Sequence, residues 1–430
     1  MSTFTGKQRE GVAAYAAVTS AYWAFMLTDG ALRMLVLLHF HTLGFSPIEL
    51  AYLFLLYEFM GIVTNLSAGW IAARFGLTST LYAGLILQIL ALAALTQLDP
   101  EWAVAVSVVF VMAVQGVSGV AKDLAKMSSK SAVKVLAPEQ EKGALFRWVA
   151  ILTGSKNAVK GFGFLLGAVL LGAAGFTASV LAMAVVLAAI FVAVAVFMPG
   201  GLPTGRKDAK FREVFSKDAS VNTLSAARLF LFGARDTWFV VGIPIYFYSV
   251  LSDGTTEGNR EAFFQIGAFM ATWIIGYGII QAGAPRILNA RDRTLGEIVA
   301  MARFWVGVLT LIPLALAAAA LVGQGGGAPS LWLTITLVAG LLAFGAVFAL
   351  NSSLHSYLIL AFTKAARVTM DVGFYYMSNA AGRLVGTLLS GVSYQLGGLP
   401  LCLATAALLS ALSFVCAGRL SRTVHTQAAP

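Results

Sequence analysis

The sequence predicts an all-α integral membrane protein with twelve transmembrane helices in two six-helix pseudo-symmetric halves. Three observations support this prediction: an apolar composition, twelve long apolar runs and an internal repeat. Apolar residues make up 59% of the 430-residue chain and charged residues 11%, whereas soluble domains average about 45–50% and about 25%. Such a chain belongs in a bilayer, and this composition excludes soluble, disordered and disulfide-scaffold classes.

Each apolar run is long enough to cross a hydrocarbon core about 30 Å thick, which takes about 20 helical residues. The runs show no alternation with a period of two, so a β-barrel is not expected. Helices satisfy their own backbone groups in lipid, which makes them the predicted spanning structure. The predicted spans are 13–40, 47–72, 79–98, 102–126, 147–172, 177–198, 222–250, 262–284, 295–321, 331–360, 371–396 and 399–418.

The distribution of Lys and Arg predicts the orientation. With an even number of spans, both termini lie on one side of the membrane. Twenty of the 29 cations fall in segments on that side, whereas the opposite loops contain only Arg260. Because cytoplasmic loops carry the excess of Lys and Arg, both termini are predicted to be cytoplasmic in a bacterial inner (plasma) membrane. Most of the net charge of +10 therefore reflects orientation, and no nucleic-acid partner is expected.

The first apolar run is too long for a signal peptide and is expected to remain as the first helix.

A polar segment divides the chain into an N-terminal half, 1–198, a central cytoplasmic loop, 199–221, and a C-terminal half, 222–430, with a short cytoplasmic tail. Parallel six-helix halves related by an axis along the membrane normal form the major facilitator architecture. The halves share residues at two offsets. At an offset of 207, Phe25, Asp29, Phe40 and Gly69 correspond to Phe232, Asp236, Phe247 and Gly276, and at an offset of 223, Lys160 and Gly163 correspond to Arg383 and Gly386.

The loop after the second span supports the same family. Its sequence GWIAARFG (69–76) resembles the Gly-x-Leu-Ala-Asp-Arg-x-Gly loop of the major facilitator superfamily. The resemblance implies a conformational loop containing Gly69, Arg74 and Gly76. Ala73 stands where the family has Asp, so the usual charge contact of this loop is not expected. Met112 stands where a helix-four motif of proton antiporters has Arg, so the resemblance does not by itself imply proton coupling.

Charged residues inside the predicted spans point to the function. Each such charge costs about 2.5–3.5 kcal/mol. If each of four carboxylates pairs with one of eight cations, four cations remain, and an unpaired buried charge is strongly destabilising. We therefore expect an aqueous cavity that binds an anion with more than one negative charge. The cations are Arg33, Lys122, Lys156, Lys160, Arg228, Arg235, Arg303 and Arg383, and the carboxylates are Asp29, Glu58, Asp123 and Asp236.

Four of these cations are the principal candidates for binding the substrate: Arg33 in helix one, Arg235 in helix seven, Lys160 in helix five and Arg383 in helix eleven. Arg33 and Arg235 lie on pseudo-equivalent helices and can approach each other across the central axis. Paired guanidinium groups bind phosphoryl or arsenyl oxygens bidentately. Organophosphate carriers of the superfamily are similar in placing one Arg on each of these two helices.

Four further residues are candidates for the same site. Lys156 lies one turn before Lys160, near the predicted cytoplasmic rim, and Lys122, with Asp123 beside it, is borderline between the cavity and a solvated helix face. Asn351 and His355 lie one turn apart in helix ten, where they either face the cavity or form interhelical hydrogen bonds.

Other basic residues have a simpler interpretation. We interpret the stripe that continues Lys122 as a solvated face near anionic headgroups, and two arginines as extending to the interface. The stripe is Lys126, Lys130 and Lys134, and the arginines are Arg228 and Arg303.

The carboxylates are expected either to hold the cations in place or to couple a proton. Asp29 lies one turn before Arg33, which suggests a local ion pair, and Asp236 adjoins Arg235. Glu58 has no cation nearby in the sequence. It either carries a proton or pairs with Arg33 or Lys160.

No cofactor or metal is predicted. Cys402 and Cys416 lie fourteen residues apart in the last span, too far to form a disulfide with each other, and we interpret them as small apolar residues. No Cys or His cluster has metal-ligand spacing. A nucleophile–base pair is equally lacking, so an enzyme is not expected.

Four stretches resemble a narrower family, the organoarsenical efflux permeases of the ArsJ family: TDGALRMLVLLHFHTLGFSP (28–47), YEFMGIVTN (57–65), ALNSSLH (349–355) and DVGFYY (371–376). The resemblance implies export of 1-arseno-3-phosphoglycerate, which forms when glyceraldehyde-3-phosphate dehydrogenase uses arsenate in place of phosphate. Export of this ester confers arsenate resistance. Composition and spacing alone predict only a polyanion carried across a membrane.

Alternative functions remain open. An organophosphate or organic-anion importer, or a phosphate exchanger, would use the same cationic cavity, and charge counting does not give the direction of transport. A multidrug exporter is less consistent, because lipophilic cations favour intramembrane acids. A membrane-embedded enzyme is the remotest alternative.

Overall fold

The computed structural model describes residues 6–136, 144–198, 215–289, 293–324, 331–363 and 368–428. The regular structure in these residues is helical, as predicted. It comprises α1 (Gly6–Thr42), α2 (Pro47–Phe75), α3 (Leu77–Leu95), α4 (Val104–Leu136), α5 (Ala144–Phe197), α6 (Ala219–Thr237), a π-helical turn (Trp238–Gly242), α7 (Ile243–Leu251), α8 (Thr256–Ile287), α9 (Leu295–Gln324), α10 (Leu331–Phe362) and α11 (Val368–Ala428). Residues 199–214 of the predicted central loop lie outside the described part.

Ten helical stretches in the described residues are long and apolar enough to cross a membrane. One of them, Ala219–Leu251, contains α6, the π-helical turn and α7. Two others, Ser155–Phe197 and Asp371–Leu420, contain 43 and 50 residues. Because one crossing takes about 20 residues, each of these two is long enough for two crossings.

The chain reverses within α5 at Gly175. This residue has φ 76° and ψ −177°, a conformation that only glycine adopts without strain. The hydroxyl of Ser179 donates to the carbonyl of Leu170 at 3.0 Å, whereas nine residues of straight helix would separate them by about 13 Å. The break lies between the predicted spans 147–172 and 177–198.

A second reversal lies within α11 at Gly397 and Gly398, where Gly398 has φ 60°. The backbone of Gly382 and the side chain of Leu409 flank the same residue of α6, because a Cβ at Gly233 would lie 3.2 Å and 3.3 Å from them. If α11 were one straight helix, Gly382 and Leu409 would be too far apart to contact Gly233 together. With both reversals counted, the helices provide twelve crossings, at the predicted positions.

Glycines bring the helices of each half into close contact. A Cβ at Gly163 of α5 would lie 2.5 Å from the carbonyl oxygen of Leu27 and 3.1 Å from the Cα of Gly30, both in α1. Its repeat counterpart in α11, Gly386, is equally close to α6, with a Cβ position 3.0 Å from the Cα of Gly233. Small residues allow such backbone contact in membrane helices. A similar glycine contact therefore joins α5 to α1 and α11 to α6.

Helices before the central loop pack against helices after it, α2 against α11 and the π-helical turn, and α5 against α8. On the side opposite the termini, three contacts close the space between them. The His41 and Tyr248 rings lie 4.8 Å apart, the Ile48 N–H donates to the side chain of Gln395 at 3.2 Å, and the Arg260 Nε–H donates to the Gly172 carbonyl at 2.5 Å.

We expect the substitution Gly163→Ala to lower the free energy of unfolding by about 1–3 kcal/mol, because the added methyl must displace the backbone of α1. Gly276→Ala is the matched control, since a Cβ at this α8 position meets no atom within 4 Å. It should leave stability unchanged or raise it by up to about 1 kcal/mol. Thermal unfolding of both purified variants in detergent measures the difference, and equal effects would contradict close packing of α1 on α5.

Candidate substrate site

A cavity of about 680 Å³ lies between the helices. Its lining includes Asn65 near the end of α2, Lys126 in the last third of α4, and Lys156 in the first third of α5. Because successive helices alternate in direction, these positions all lie toward the side of the two termini. The cavity therefore occupies the termini side of the bundle, and the contacts of His41, Ile48 and Arg260 close the opposite side.

Eight cations line this cavity. Seven of them are among the eight that the sequence places inside spans. The remaining predicted one, Arg303, is exposed on α9 with its guanidinium carbon 4.9 Å from the centre of the Phe414 ring. The lining cations are Arg33, Lys122, Lys126, Lys156, Lys160, Arg228, Arg235 and Arg383.

Five of the charged residues form a continuous chain of ion pairs across the cavity wall. Glu58 Oε1 accepts from Arg33 Nη1 at 3.0 Å and from Arg383 Nη2 at 2.5 Å. Asp236 accepts from Arg383 Nε at 3.2 Å and from Arg235 at 2.5 Å. We call this arrangement the charge chain. It joins α1 and α2 to α11 and α6, and thereby connects the helices before the central loop to those after it.

The pairing corrects one prediction. Asp29 and Arg33 share a face of α1, but no ion pair joins them among the described residues. Asp29 instead pairs with Lys160 of α5 at 2.8 Å and accepts a hydrogen bond from the Tyr57 hydroxyl. Of the alternatives for Glu58, the observed one is the ion pair with Arg33. Because α1 packs closely on α5, Lys160 of α5 reaches Asp29 and replaces the predicted local partner, Arg33.

The π-helical turn Trp238–Gly242 directly follows Arg235 and Asp236. Such turns leave backbone groups without their usual helical partners. Here the Ser390 hydroxyl accepts from the N–H groups of Val241 and Gly242 at 3.2 and 3.1 Å, and the Cys402 thiol donates to the Thr237 carbonyl at 2.9 Å. These bonds hold the end of α6, and with it Arg235 and Asp236, against α11.

Lys126 requires a second correction, because it lies in the cavity instead of on a face near the headgroups. Its ammonium donates to Asp123 Oδ1 at 2.5 Å and to Asn65 Oδ1 at 2.6 Å, and Thr64 donates to Asp123 Oδ2 at 2.8 Å. The spacing of one turn from Lys122 put both lysines on one helix face, and that signal could have placed Lys126 correctly. The side chains of Lys130 and Lys134 lie outside the described part.

Two lining cations have no carboxylate within ion-pair distance among the described residues. The Lys122 ammonium lies 4.0 Å from the centre of the Tyr57 ring. Arg228, predicted to extend to the interface, is instead only 4% exposed and donates to the carbonyl and hydroxyl of Ser352 at 3.1 and 3.0 Å. An arginine seven residues before Arg235 faces the same side of its helix, which explains its position in the cavity.

The remaining candidates divide between the cavity and the packed interior. Lys156 lines the cavity, but Asn351 and His355 do not. Asn351 Nδ2 donates to the Ala302 carbonyl of α9 at 2.7 Å, and His355 is buried within α10. For Asn351 the interhelical alternative is therefore the observed one.

The predicted conformational loop lies on the termini side of the bundle. Gly69 and Arg74 belong to the last turns of α2. Gly76, with φ 83°, is the single residue between α2 and α3.

Aromatic side chains form much of the rest of the wall. No sequence pattern distinguished them, since aromatic residues are spread through all the spans. Trp273 and Tyr277 stack in parallel at 5.8 Å, and Phe239 lies 4.9 Å from Trp273. Phe164 and Phe232 complete this aromatic part of the lining. The described residues include no group of His, Cys, Asp or Glu that could hold a metal ion.

We expect Glu58→Gln to destabilise the protein by about 3–5 kcal/mol, because Arg33 would lose its carboxylate and Arg383 one of two. The control is Glu261→Gln on α8, where the carboxylate is exposed and the change should stay within about 0.5 kcal/mol. Thermal unfolding in detergent tests both. A Glu58→Gln protein as stable as its control would show that the charge chain does not stabilise the bundle.

Comparisons with known proteins address the fold. Residues 18–358 match the family model of the Major Facilitator Superfamily. Similar solved structures include a POT family transporter in complex with a thioalcohol-conjugated peptide, at TM-score 0.69 and 13% identity over 93% of this chain and 94% of that one. They also include the nucleoside transporter NupG, at TM-score 0.66 and 15% identity over 95% and 98%. No curated protein sequence matches significantly.

Proposed function

The chain belongs to the Major Facilitator Superfamily, and we propose that it exports an organic arsenate ester, 1-arseno-3-phosphoglycerate, by alternating access through the cationic cavity. The family makes it a multi-pass membrane protein that moves a small molecule as a secondary transporter and is not an enzyme. The proposal adds the substrate, the outward direction, the bacterial inner membrane and the functional link to glyceraldehyde-3-phosphate dehydrogenase.

The observation that carries the proposal is the excess of positive charge around one cavity. Eight cations line it, and four carboxylates, Asp29, Glu58, Asp123 and Asp236, pair with five of them. Excess buried charge of one sign is unfavourable unless a counter-charge is supplied. A substrate with several negative charges supplies it, and neither a neutral nor a cationic substrate does.

The chemistry of the lining supports a pentavalent arsenic ester over trivalent arsenite. Arsenyl and phosphoryl oxygens are acceptors that guanidinium and ammonium groups bind. Trivalent arsenic would instead call for thiol ligands. Neither Cys402 nor Cys416 is among the described residues that line the cavity.

The resemblance to the ArsJ family supports the identity of the substrate. Two of the four resembling stretches, 28–47 and 57–65, contain Asp29, Arg33 and Glu58. Arg33 lines the cavity, and Asp29 and Glu58 form ion pairs with the lining cations Lys160, Arg33 and Arg383. In the proposed mechanism Arg33, Arg235, Lys160 and Arg383 bind the oxyanion, and Lys122 and Lys156 contribute charge toward the termini side. Asp29, Glu58 and Asp236 hold these cations in place or couple a proton as the two halves rock around the site.

Uptake into everted membrane vesicles tests the substrate. We expect arsenic to accumulate only when the ester is generated in the medium from arsenate by glyceraldehyde-3-phosphate dehydrogenase, and the comparison with and without a pH gradient reports proton coupling. Accumulation of 3-phosphoglycerate with no preference for the arsenylated ester would contradict the proposal and favour an organophosphate carrier.

Substitution of the two arginines tests the site. Arg33→Gln and Arg235→Gln should each lower ester uptake by about tenfold or more, since each removes charge-assisted hydrogen bonds worth about 1.5–3 kcal/mol. Cells producing either variant should lose arsenate resistance at unchanged expression. Arg303→Gln, which removes a cation outside the cavity, is the control and should retain uptake. Full resistance in cells with either cavity variant would show that these arginines do not bind the substrate.

A further inference from the structure

Arg228 is a buried cation that the charge chain does not use. It is 4% exposed, lines the cavity and makes its hydrogen bonds with Ser352 of α10. No carboxylate among the described residues lies within ion-pair distance of it. A guanidinium group in such a position lacks a counter-charge, and its burial is costly until one is present.

Arg228 has a donor that nothing in the described residues uses. Its Nε is buried without a hydrogen-bond partner. Gln281 lines the cavity in the same region, and its amide reaches the Ser352 hydroxyl at only 3.5 Å. Buried polar atoms are normally satisfied. An unused N–H on an arginine without a carboxylate indicates a place for an anionic acceptor.

The distance between Arg228 and the charge chain is limited by Phe232. The guanidinium carbon of Arg228 lies 4.1 Å from the centre of this ring, and that of Arg235 lies 4.8 Å from it. Since both distances end at the same ring centre, the two guanidinium carbons lie at most about 9 Å apart. Seven residues of helix rise about 10 Å, so the ring holds the two side chains toward each other.

We propose that Arg228 forms a second anion subsite, so that the cavity recognises an organic bis-anion whose two tetrahedral oxyanion groups are joined by a short linker. One group binds the guanidinium of Arg235 and its neighbours in the charge chain, and the other binds the guanidinium of Arg228 beside the amide of Gln281. This inference rests on the proposed function, because it assigns the two ends of the same substrate. An ester with an arsenyl and a phosphoryl group on a three-carbon backbone is a member of the class.

Binding of two stable probes to the purified full chain tests the subsite. The probes are propane-1,3-diylbisphosphonate, with two anionic groups, and propylphosphonate, with one. We expect the wild-type protein to bind the bisphosphonate at least tenfold more tightly by calorimetry at fixed ionic strength. In Arg228→Gln the ratio of the affinity for the bisphosphonate to that for propylphosphonate should fall to near one. The affinity for propylphosphonate itself should change less than twofold.

The controls separate a subsite from a structural role. Arg303→Gln should keep the wild-type ratio. Arg228→Lys keeps the charge but loses the planar guanidinium group with its paired N–H donors. The affinity ratio should therefore fall at least threefold. Arg228→Lys serves as the test if Arg228→Gln does not fold. A ratio unchanged in the folded Arg228 variants would overturn the second subsite.

The two proposals fail separately. If vesicles do not take up the arsenylated ester but the ratio still depends on Arg228, the subsite stands and the substrate is a different bis-anion. If the ester is taken up and the ratio does not depend on Arg228, the transport function stands and the subsite is overturned.

Discussion

The carboxylate of Glu58 is fully buried between Arg33 and Arg383, and this pairing constrains how the helices of the bundle meet. It joins α2 to α1 on one side and to α11 on the other, and Asp236 extends the same chain of charges into α6. In a medium of low dielectric constant, the loss of Glu58, Asp236 or Arg383 would leave a buried charge with fewer partners or none. The glycine contacts between α6 and α11 bring Asp236 and Arg383 close enough to pair, and those between α1 and α5 do the same for Asp29 and Lys160.

In the proposed function, the internal pairs would let the cationic cavity release an anion as well as bind it. Carboxylates on the wall compete with the substrate for the same guanidinium and ammonium groups, so a bound anion is exchanged for protein partners when it leaves. A ligand shifts the conformational equilibrium only through its different affinity for the two states. Since the charge chain connects helices from both halves, an anion that takes Arg383 from Glu58 or Asp236 alters the contact between those halves directly.

The sequence predicted the helices from the length of its apolar runs, and it predicted most of the cavity cations because charge inside a span is too costly to occur without a role. It placed the helix breaks at Gly175 and at Gly397–Gly398 because apolar runs are interrupted there. It did not predict the partners: the local pair of Asp29 with Arg33 gave way to the contact of Asp29 with Lys160, and Lys126 turned inward. Helix periodicity shows which residues share a face, but tertiary packing decides what that face meets. The internal repeat does not predict the partners either. At the offset of 207, Glu58 corresponds to Gln265, which is exposed on α8 and not buried among cations.

In the proposed function, a bound polyanion balances the excess positive charge of the cavity. The most direct measurement is the thermal stability of the purified full chain with neutral, singly charged and doubly charged small ligands, such as glycerol, lactate and phosphate, at constant ionic strength. Binding to the folded state raises its stability by mass action. Stabilisation should increase with the negative charge of the ligand, with no effect of glycerol or of a polyamine. Equal stabilisation by all of these ligands, or stabilisation by the polyamine, would contradict the claim.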